Sequence, residues 1–272
     1  YAHDVPNYPV HTEGTCFGVY YGTCNGLFVD NISNRTSCQF LLAGCVANAF
    51  VYNYAMNCTR ATTPVVMPGA QYHGPQGLMN LFEGNIWPGI CDDGYHGSAS
   101  HDTIFRNHFN GLCTDRSNDR RVVNLSRGTY YNSVVGNILG DSSWNPTGYE
   151  GSGGFAHNDS FMYVLGYPNS GNTEMTPAMP WSTHPNIYPD LAGASTLLRH
   201  GNYDYYHKDV VWDSGIASRA IPASLYYSSK PDYFGSLQWP PIGPDVSGLV
   251  TDIPAKARWS AYLTSGVLSD LF

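Results

Sequence analysis

The chain has 272 residues and a formal net charge of −8 from 13 basic and 21 acidic side chains, so it can bury a full core in one elongated domain and carries no basic footprint for nucleic acid. No apolar run approaches the 18 or so residues of a membrane span. Only 12% of residues are charged, whereas Gly (29), Pro (18) and Tyr (21) are abundant, a turn-rich, aromatic make-up that favours an all-β chain over a helical one. The sequence starts at Tyr1 without methionine, and no signal peptide is seen. This reads as a mature or trimmed product whose export signal has been removed, with an upstream segment, a partner or a local cap covering the first coil edge.

From about Asp4 onward a short outline recurs: GLFVDN (26–31), NAFVYN (48–53), NLFEGN (80–85), DTIFRN (102–107) and NSVVGN (132–137). The closing asparagines are Asn31, Asn53, Asn85, Asn107 and Asn137. Their spacing gives a base period of about 22 residues with insertions of eight to ten, and self-similarity of this size marks a solenoid. Phe28, Phe50, Phe82, Ile104 and Val134 share one column. The residues around them alternate or run apolar for only three to five positions, which is strand periodicity. The predicted fold is therefore all-β, a right-handed parallel β-helix whose coils stack about 4.8 Å apart. In that geometry Asn48, Asn53, Asn80, Asn85, Asn107, Asn132 and Asn137 form amide ladders, each side chain donating to one copy and accepting from the other. Asparagine also tolerates the left-handed backbone of a sharp turn.

The cysteines test the register. Cys16 and Cys38 both lie fifteen before a closing asparagine, Cys91 and Cys113 six after one, and Cys24 and Cys45 seven and eight before. Stacked columns bring Cα atoms within disulfide range, so the spacing allows coil-to-coil bridges Cys16–Cys38, Cys24–Cys45 and Cys91–Cys113, with Cys58 left over. Pairing within coils, Cys16–Cys24 with Cys38–Cys45, is the alternative. Seven cysteines without a zinc-like CxxC pair favour an oxidising compartment, hence a secreted or cell-surface protein.

The inserts are placed at 59–72 and 114–128, with a Gly/Ser-rich stretch at 142–159. Such loops often build the binding surface of a solenoid. FMYVLGY (161–167) reads as the last strand, dividing coils (1–167) from a Pro-, Tyr- and Trp-rich extension (168–272) packed along them. Its aromatic density argues against disorder. AKARWSAYLTSGVLSDL (255–271) reads as a terminal helix.

MNLFEGN, DDGYHGSASHDTIFRN, LLRHGNYDY and IPASLYYSSKPDYFGSLQWPPIGPD together resemble secreted bacterial right-handed parallel β-helix proteins of the pectate-lyase-like superfamily, over most of the chain. The resemblance implies fold and export. The wider superfamily is dominated by polysaccharide lyases, glycoside hydrolases and carbohydrate esterases, with tailspikes and adhesins beside them. Fold alone does not assign an activity.

The densest titratable run is DDGYHGSASHD (92–102). Paired carboxyls with a histidine suit acid–base cleavage of a glycosidic bond, which makes Asp92 or Asp93 the candidate acid or base, with His96 or His73 orienting it; the resemblance to pectate lyases, which use an arginine base, implies Arg106 or Arg127 in that role. The opposing interpretation is an Asx turn at Asp92-Asp93-Gly94 with His96 and His101 capping coils. Gln39, Gln71 and Asp93, each fourteen before a closing asparagine, form a polar stripe on an outer face. Glu83, His73, His101, Trp144 and Tyr149 are candidate substrate contacts, the rings by stacking on sugars. No metal site is assigned, although Asp92, Asp93 and Glu83 are candidate Ca2+ ligands. The expected partner is an extracellular polysaccharide, a neutral one fitting the net charge best. The alternative is a non-catalytic secreted scaffold that self-associates through its coil ends.

Overall fold

The computed structural model describes residues 2–3, 14–59, 66–114, 117, 120–151, 160–167 and 190–266. The expected start of coiling near Asp4 and the stretch 152–159 lie outside the described residues.

Three parallel sheets wind into a β-helix. The first holds Ala2–His3, Ile32–Asn34, Tyr54–Met56, Ile86–Trp87, His108–Phe109, Ile138–Leu139 and Asn202–Asp204, with Asp209–Val211 added antiparallel. The second holds Phe17–Val19, Phe40–Leu42, Ala70–Tyr72, Ile90–Asp92, Arg121–Leu125 and Phe161–Leu165, ending at Gly148–Gly151. The third holds Leu27–Val29, Ala49–Val51, Leu81–Glu83, Thr103–Phe105, Ser133–Val135 and Leu198–His200. The register is the repeat itself: Phe28 pairs with Phe50, Phe50 with Phe82, Phe82 with Ile104 and Ile104 with Val134. Stacked copies fill the interior, with ring centroids 4.9 Å apart for Phe28–Phe50 and 5.0 Å for Phe50–Phe82. Two strands after Tyr167 extend the first and third sheets, so coiling continues to Asp204 and brings in one more rung, Asn202.

The ladders form at the corners. Asn31, Asn53, Asn85, Asn107, Asn137 and Asn202 make one run in which each Nδ2 donates to the next Oδ1 at 2.9–3.0 Å. The same oxygens accept the preceding rung's backbone N–H. The left-handed backbone falls one residue earlier than expected. Asp30, Tyr52, Gly84, Arg106, Gly136 and Gly201, not the asparagines, have φ between 50° and 68°. A bend there turns the next residue inward, and a carboxamide at that point satisfies the backbone groups the corner would otherwise bury unpaired. Ala47, Met79, His101 and Tyr131 occupy the same conformation before Asn48, Asn80, Asp102 and Asn132.

The cysteine columns need correction. All seven cysteines stand as thiols. Cys16 lies beside Cys38, its N–H donating to the Cys38 carbonyl at 3.3 Å. Cys24, however, pairs with Val46, so Cys45 is offset by one and points inward, fully buried, while Cys24 is exposed. A one-residue offset reverses the face of a strand side chain. Cys91 is in register with Gln71 and Asn124, and Cys113 is not in that column. Coil three turns at once into its second-sheet strand, whereas coils two and four first run out into inserts. Counting from the asparagine therefore equates different places. Cys113 lies instead near Cys58, whose buried thiol is pushed well up by burial and by the neighbouring Cys38, Cys113 and Cys16, and Thr114 donates twice to Asn57 Oδ1.

The extension packs along the left-handed corner. Tyr52, Phe234, Ile242, Ile253, Ala255 and Trp259 form a second core against Ile32, Val51, Ile86 and Ile138. Its last described element is the helix Pro254–Ser265, started by Pro at its first turn and closed by Gly266 at φ 68°, as helix ends favour; positions 267–271 of the expected helix lie outside the described residues. Arg258 on this helix binds the Asp30 carboxylate and carbonyl. Trp239 Nε1 donates to the Tyr52 hydroxyl at 2.8 Å.

Candidate functional site

Asp92 ends a second-sheet strand and Asp93 follows it, consecutive side chains taking opposite faces. Asp93 faces outward beside His73 of the neighbouring coil. Its Oδ2 is 2.6 Å from His73 Nδ1 and 2.7 Å from Gln71 Nε2, and Oδ1 accepts from Tyr95 N–H at 2.8 Å. The carboxylate is nearly covered, while the imidazole side chain is 27% exposed, so the ring is reachable and its orienting partner is not. Tyr95 stacks on His73 at 4.8 Å, and His96 meets both rings edge-on at 5.0 and 4.4 Å. Alongside runs a shallow recess lined by Thr15, Ser37, Leu41, Met67, Gln71 and His73. A carboxylate on Nδ1 fixes a neutral imidazole with its acceptor at Nε2 and stabilises the ring when it takes a proton.

Three predicted site residues, His73, Asp93 and His96, therefore come together. Tyr95, which the sequence reading passed over, joins them; its signal was its place between the Asp pair and His96. Asp92 does not join. It points inside, 1% exposed, and accepts from Thr129 Oγ1 at 2.6 Å, Ala99 N–H at 2.8 Å and Gly94 N–H at 3.1 Å. Both aspartates make the i to i+2 bond of an Asx turn, so the turn interpretation of this dipeptide holds for its backbone. Gln39 leaves the outer stripe as well. It is fully buried, accepts from Trp87 Nε1 at 2.8 Å and donates to the Asn31 and Tyr54 carbonyls.

Glu83 and Arg106 belong to the tail. Glu83, 1% exposed, accepts from the Ser224 hydroxyl and from Leu225 and Tyr226 N–H; burial pushes its carboxyl up against the pull of these donors. Arg106, also 1% exposed, donates to both Asp245 oxygens and to the Ile221, Pro222 and Ile242 carbonyls. With every guanidinium nitrogen engaged, it is an anchor and not a base. Sequence reasoning missed Ser224 and Asp245 because nothing local marks a contact 139 or 141 residues away.

The remaining candidates scatter. His101 is exposed on a left-handed corner, its ring 5.1 Å from Tyr131. Trp144 is 8% exposed, donates to the Asn110 carbonyl at 2.8 Å and lies under Arg120, which makes it a loop anchor. Tyr149 lies on the far edge strand of the second sheet, packed on Tyr163 and His207. Asp92, Asp93 and Glu83 occupy different faces, so they do not converge as a calcium set. Among the described residues no group of three or more His, Cys, Asp or Glu side chains could hold a metal ion, and no helix is long and apolar enough to cross a membrane.

Fold and site together define a parallel β-helix with the His73–Asp93 pair, ringed by aromatic side chains, on an outer face; a second His–Asp pair, His207 with Asp204 at 2.9 Å, lies elsewhere on the molecule. Compared with models of known families, curated proteins and solved structures, the chain finds no match.

Proposed function

We propose that the protein is an extracellular carbohydrate-active enzyme that cleaves a polysaccharide laid across the second-sheet face, with His73 as the proton-transferring group. The observation that carries this reading is the 2.6 Å contact between His73 Nδ1 and the covered Asp93 carboxylate. Between the two reactions considered, elimination is the better fit. Glycoside hydrolysis uses two carboxyls flanking the bond, and of the candidate pair only Asp93 faces outward, already engaged with His73. In a lyase step His73 would remove the proton next to a uronate carboxyl. The C–H pair becomes the new C=C bond, the glycosidic C–O bond breaks, and the leaving oxygen takes a proton, for which Tyr95, its ring 4.8 Å from that of His73, is the candidate donor. The rings of Tyr95 and His96 supply stacking surface for the neighbouring sugar.

A chain of net charge −8 repels a uronate polymer, so turnover at low substrate should rise with added salt as that repulsion is screened. The test is a polysaccharide panel digested with and without chelator and followed by absorbance of the unsaturated product, comparing the parent with His73→Ala and Asp93→Asn. His73→Ala should lose roughly 10²–10⁴-fold in kcat, the span of general acid–base catalysis, with Asp93→Asn losing less. Equal product from parent and His73→Ala would remove the assignment. Binding without turnover in the parent would favour the non-catalytic scaffold.

A further inference from the structure

The second ladder contains one rung that is not an amide. Asn48, Asn80, Asp102 and Asn132 stack at one corner, and the backbone steps are uniform: Asn48 N–H reaches Asn80 Oδ1 at 3.0 Å, Asn80 N–H reaches Asp102 Oδ1 at 2.7 Å and Asp102 N–H reaches Asn132 Oδ1 at 2.8 Å. The side-chain steps are not uniform. Asn48 Nδ2 donates to Asn80 Oδ1 at 3.0 Å and Asn80 Nδ2 to Asp102 Oδ1 at 3.3 Å. The next step needs a donor on Asp102 directed at Asn132 Oδ1, and an ionised carboxylate has none. In the six-rung ladder the same amide position also faces a main-chain carbonyl of the preceding coil, as with Asn53 on Phe28, Asn85 on Phe50 and Asn107 on Phe82. A second carboxylate oxygen there would meet acceptors.

The surroundings offer an anion three donors, Asn80 N–H and Nδ2 and the Tyr72 hydroxyl, but no countercharge. Asp102 is 4% exposed. The titratable side chains facing it are Tyr72, Cys45 and Asp92, none of them basic. The Tyr72 hydroxyl accepts from Asn80 Nδ2 at 2.8 Å and donates to the Asp102 carboxyl. The cavity between Asp92, Asp102, Thr129 and Asn132 has a volume of about 10 Å³, room for about one water and not for a hydration shell.

The geometry points to Asp102 as a rung that holds a proton in the folded protein, its carboxyl O–H completing the ladder toward Asn132 as an amide N–H does elsewhere, so that the solenoid is built to loosen as pH rises. Burial, the largest influence, pushes the Asp102 carboxyl up to about 7. Asp92 is also pushed to about 7, but it lies off the ladder, where no neighbouring rung calls for a donor from it. An acid with a folded value above its unfolded value near 4 takes up a proton on folding. Its contribution is full below pH 4, falls as pH rises toward 7 and is flat above.

The test measures the thermal midpoint from pH 4.5 to 8 for the parent, Asp102→Asn and Asp102→Ala. The parent midpoint should fall across that range. Asp102→Asn supplies the missing donor without a proton, so its midpoint should lie above the parent's at pH 8 and its pH-dependent loss should be smaller than the parent's; Asp92, Asp30 and Glu83, also raised by burial, keep the rest, and His108, lowered to about 4 by burial, offsets part of it below pH 6.5 in both proteins. Asp102→Ala removes the acceptor for Asn80 N–H and should be lowest at every pH. A parental pH slope in Asp102→Asn, or a midpoint below the parent's at pH 8, would overturn the assignment. An independent reading comes from the infrared band of a protonated buried carboxyl. It should be present in the parent at pH 6 and weakened in Asp102→Asn, and its absence from the parent would equally overturn it.

Discussion

Arg106→Ala should destabilise the protein by about 3 kcal/mol, the lower end of the range for breaking a buried ion pair. The low end applies because Asp245 is 50% exposed and can rehydrate. The main loss falls on the Ile221, Pro222 and Ile242 carbonyls, which lose donors at 3.1, 2.7 and 2.9 Å. A second variant separates anchoring from backbone strain. Arg106 has φ 50°, a conformation that costs a non-glycine residue roughly 1–2 kcal/mol, so Arg106→Gly should be less damaging than Arg106→Ala by about that amount. Equilibrium denaturation gives both numbers, and limited proteolysis of segment 212–253 reports tail release. An unchanged cleavage pattern together with a change below about 0.5 kcal/mol, the size of an ordinary surface substitution, would show that Arg106 does not anchor the tail.

Asn107→Ala should cost about 4 kcal/mol. Asn107 accepts from Asn85 N–H and Nδ2 at 2.9 Å each, and donates to the Phe82 carbonyl at 2.9 Å and to Asn137 Oδ1 at 3.0 Å. Each bond contributes about 1 kcal/mol net, and its partners are buried where water cannot replace it. Asn31, the first rung among the described residues, provides the comparison. Asn31 makes two contacts to Asn53 Oδ1, one of them through its own backbone N–H, so Asn31→Ala removes a single side-chain bond and should cost about 1 kcal/mol. Urea titrations of both variants measure the difference; equal costs would mean that position in the stack does not matter.

The fold was legible because stacking makes each coil a copy of the last, so Asn53, Asn85 and Asn107 show the register directly. Where the chain departs from copying, counting failed. Inserts of unequal placement put Cys91 and Cys113 into one arithmetic column that the molecule does not have. They also placed Gln39 on the outside, although its true neighbours are Trp87 and the Asn31 and Tyr54 carbonyls. At the candidate site the strand alternation separating Asp92 from Asp93 was readable in principle. It needed the strand end, which the Asx turn hides. The tail contacts of Glu83 and Arg106 were not readable, since their partners come from a segment without repeats. The coil strands Leu198–His200 and Asn202–Asp204 were missed for a related reason: an intervening stretch set Asn202 65 positions from Asn137.

The left-handed corner has a mechanical consequence. Its side chains fasten the extension to four successive coils: Asp30 to Arg258, Tyr52 to Trp239, Glu83 to Ser224, and Arg106 to Asp245. A bare stack of this kind couples each unit only to its neighbours and can open from one end. Here one continuous strap is riveted across non-adjacent turns, so a terminal coil cannot peel away without dragging on the middle of the molecule. The winding should therefore come apart as a single event and not turn by turn.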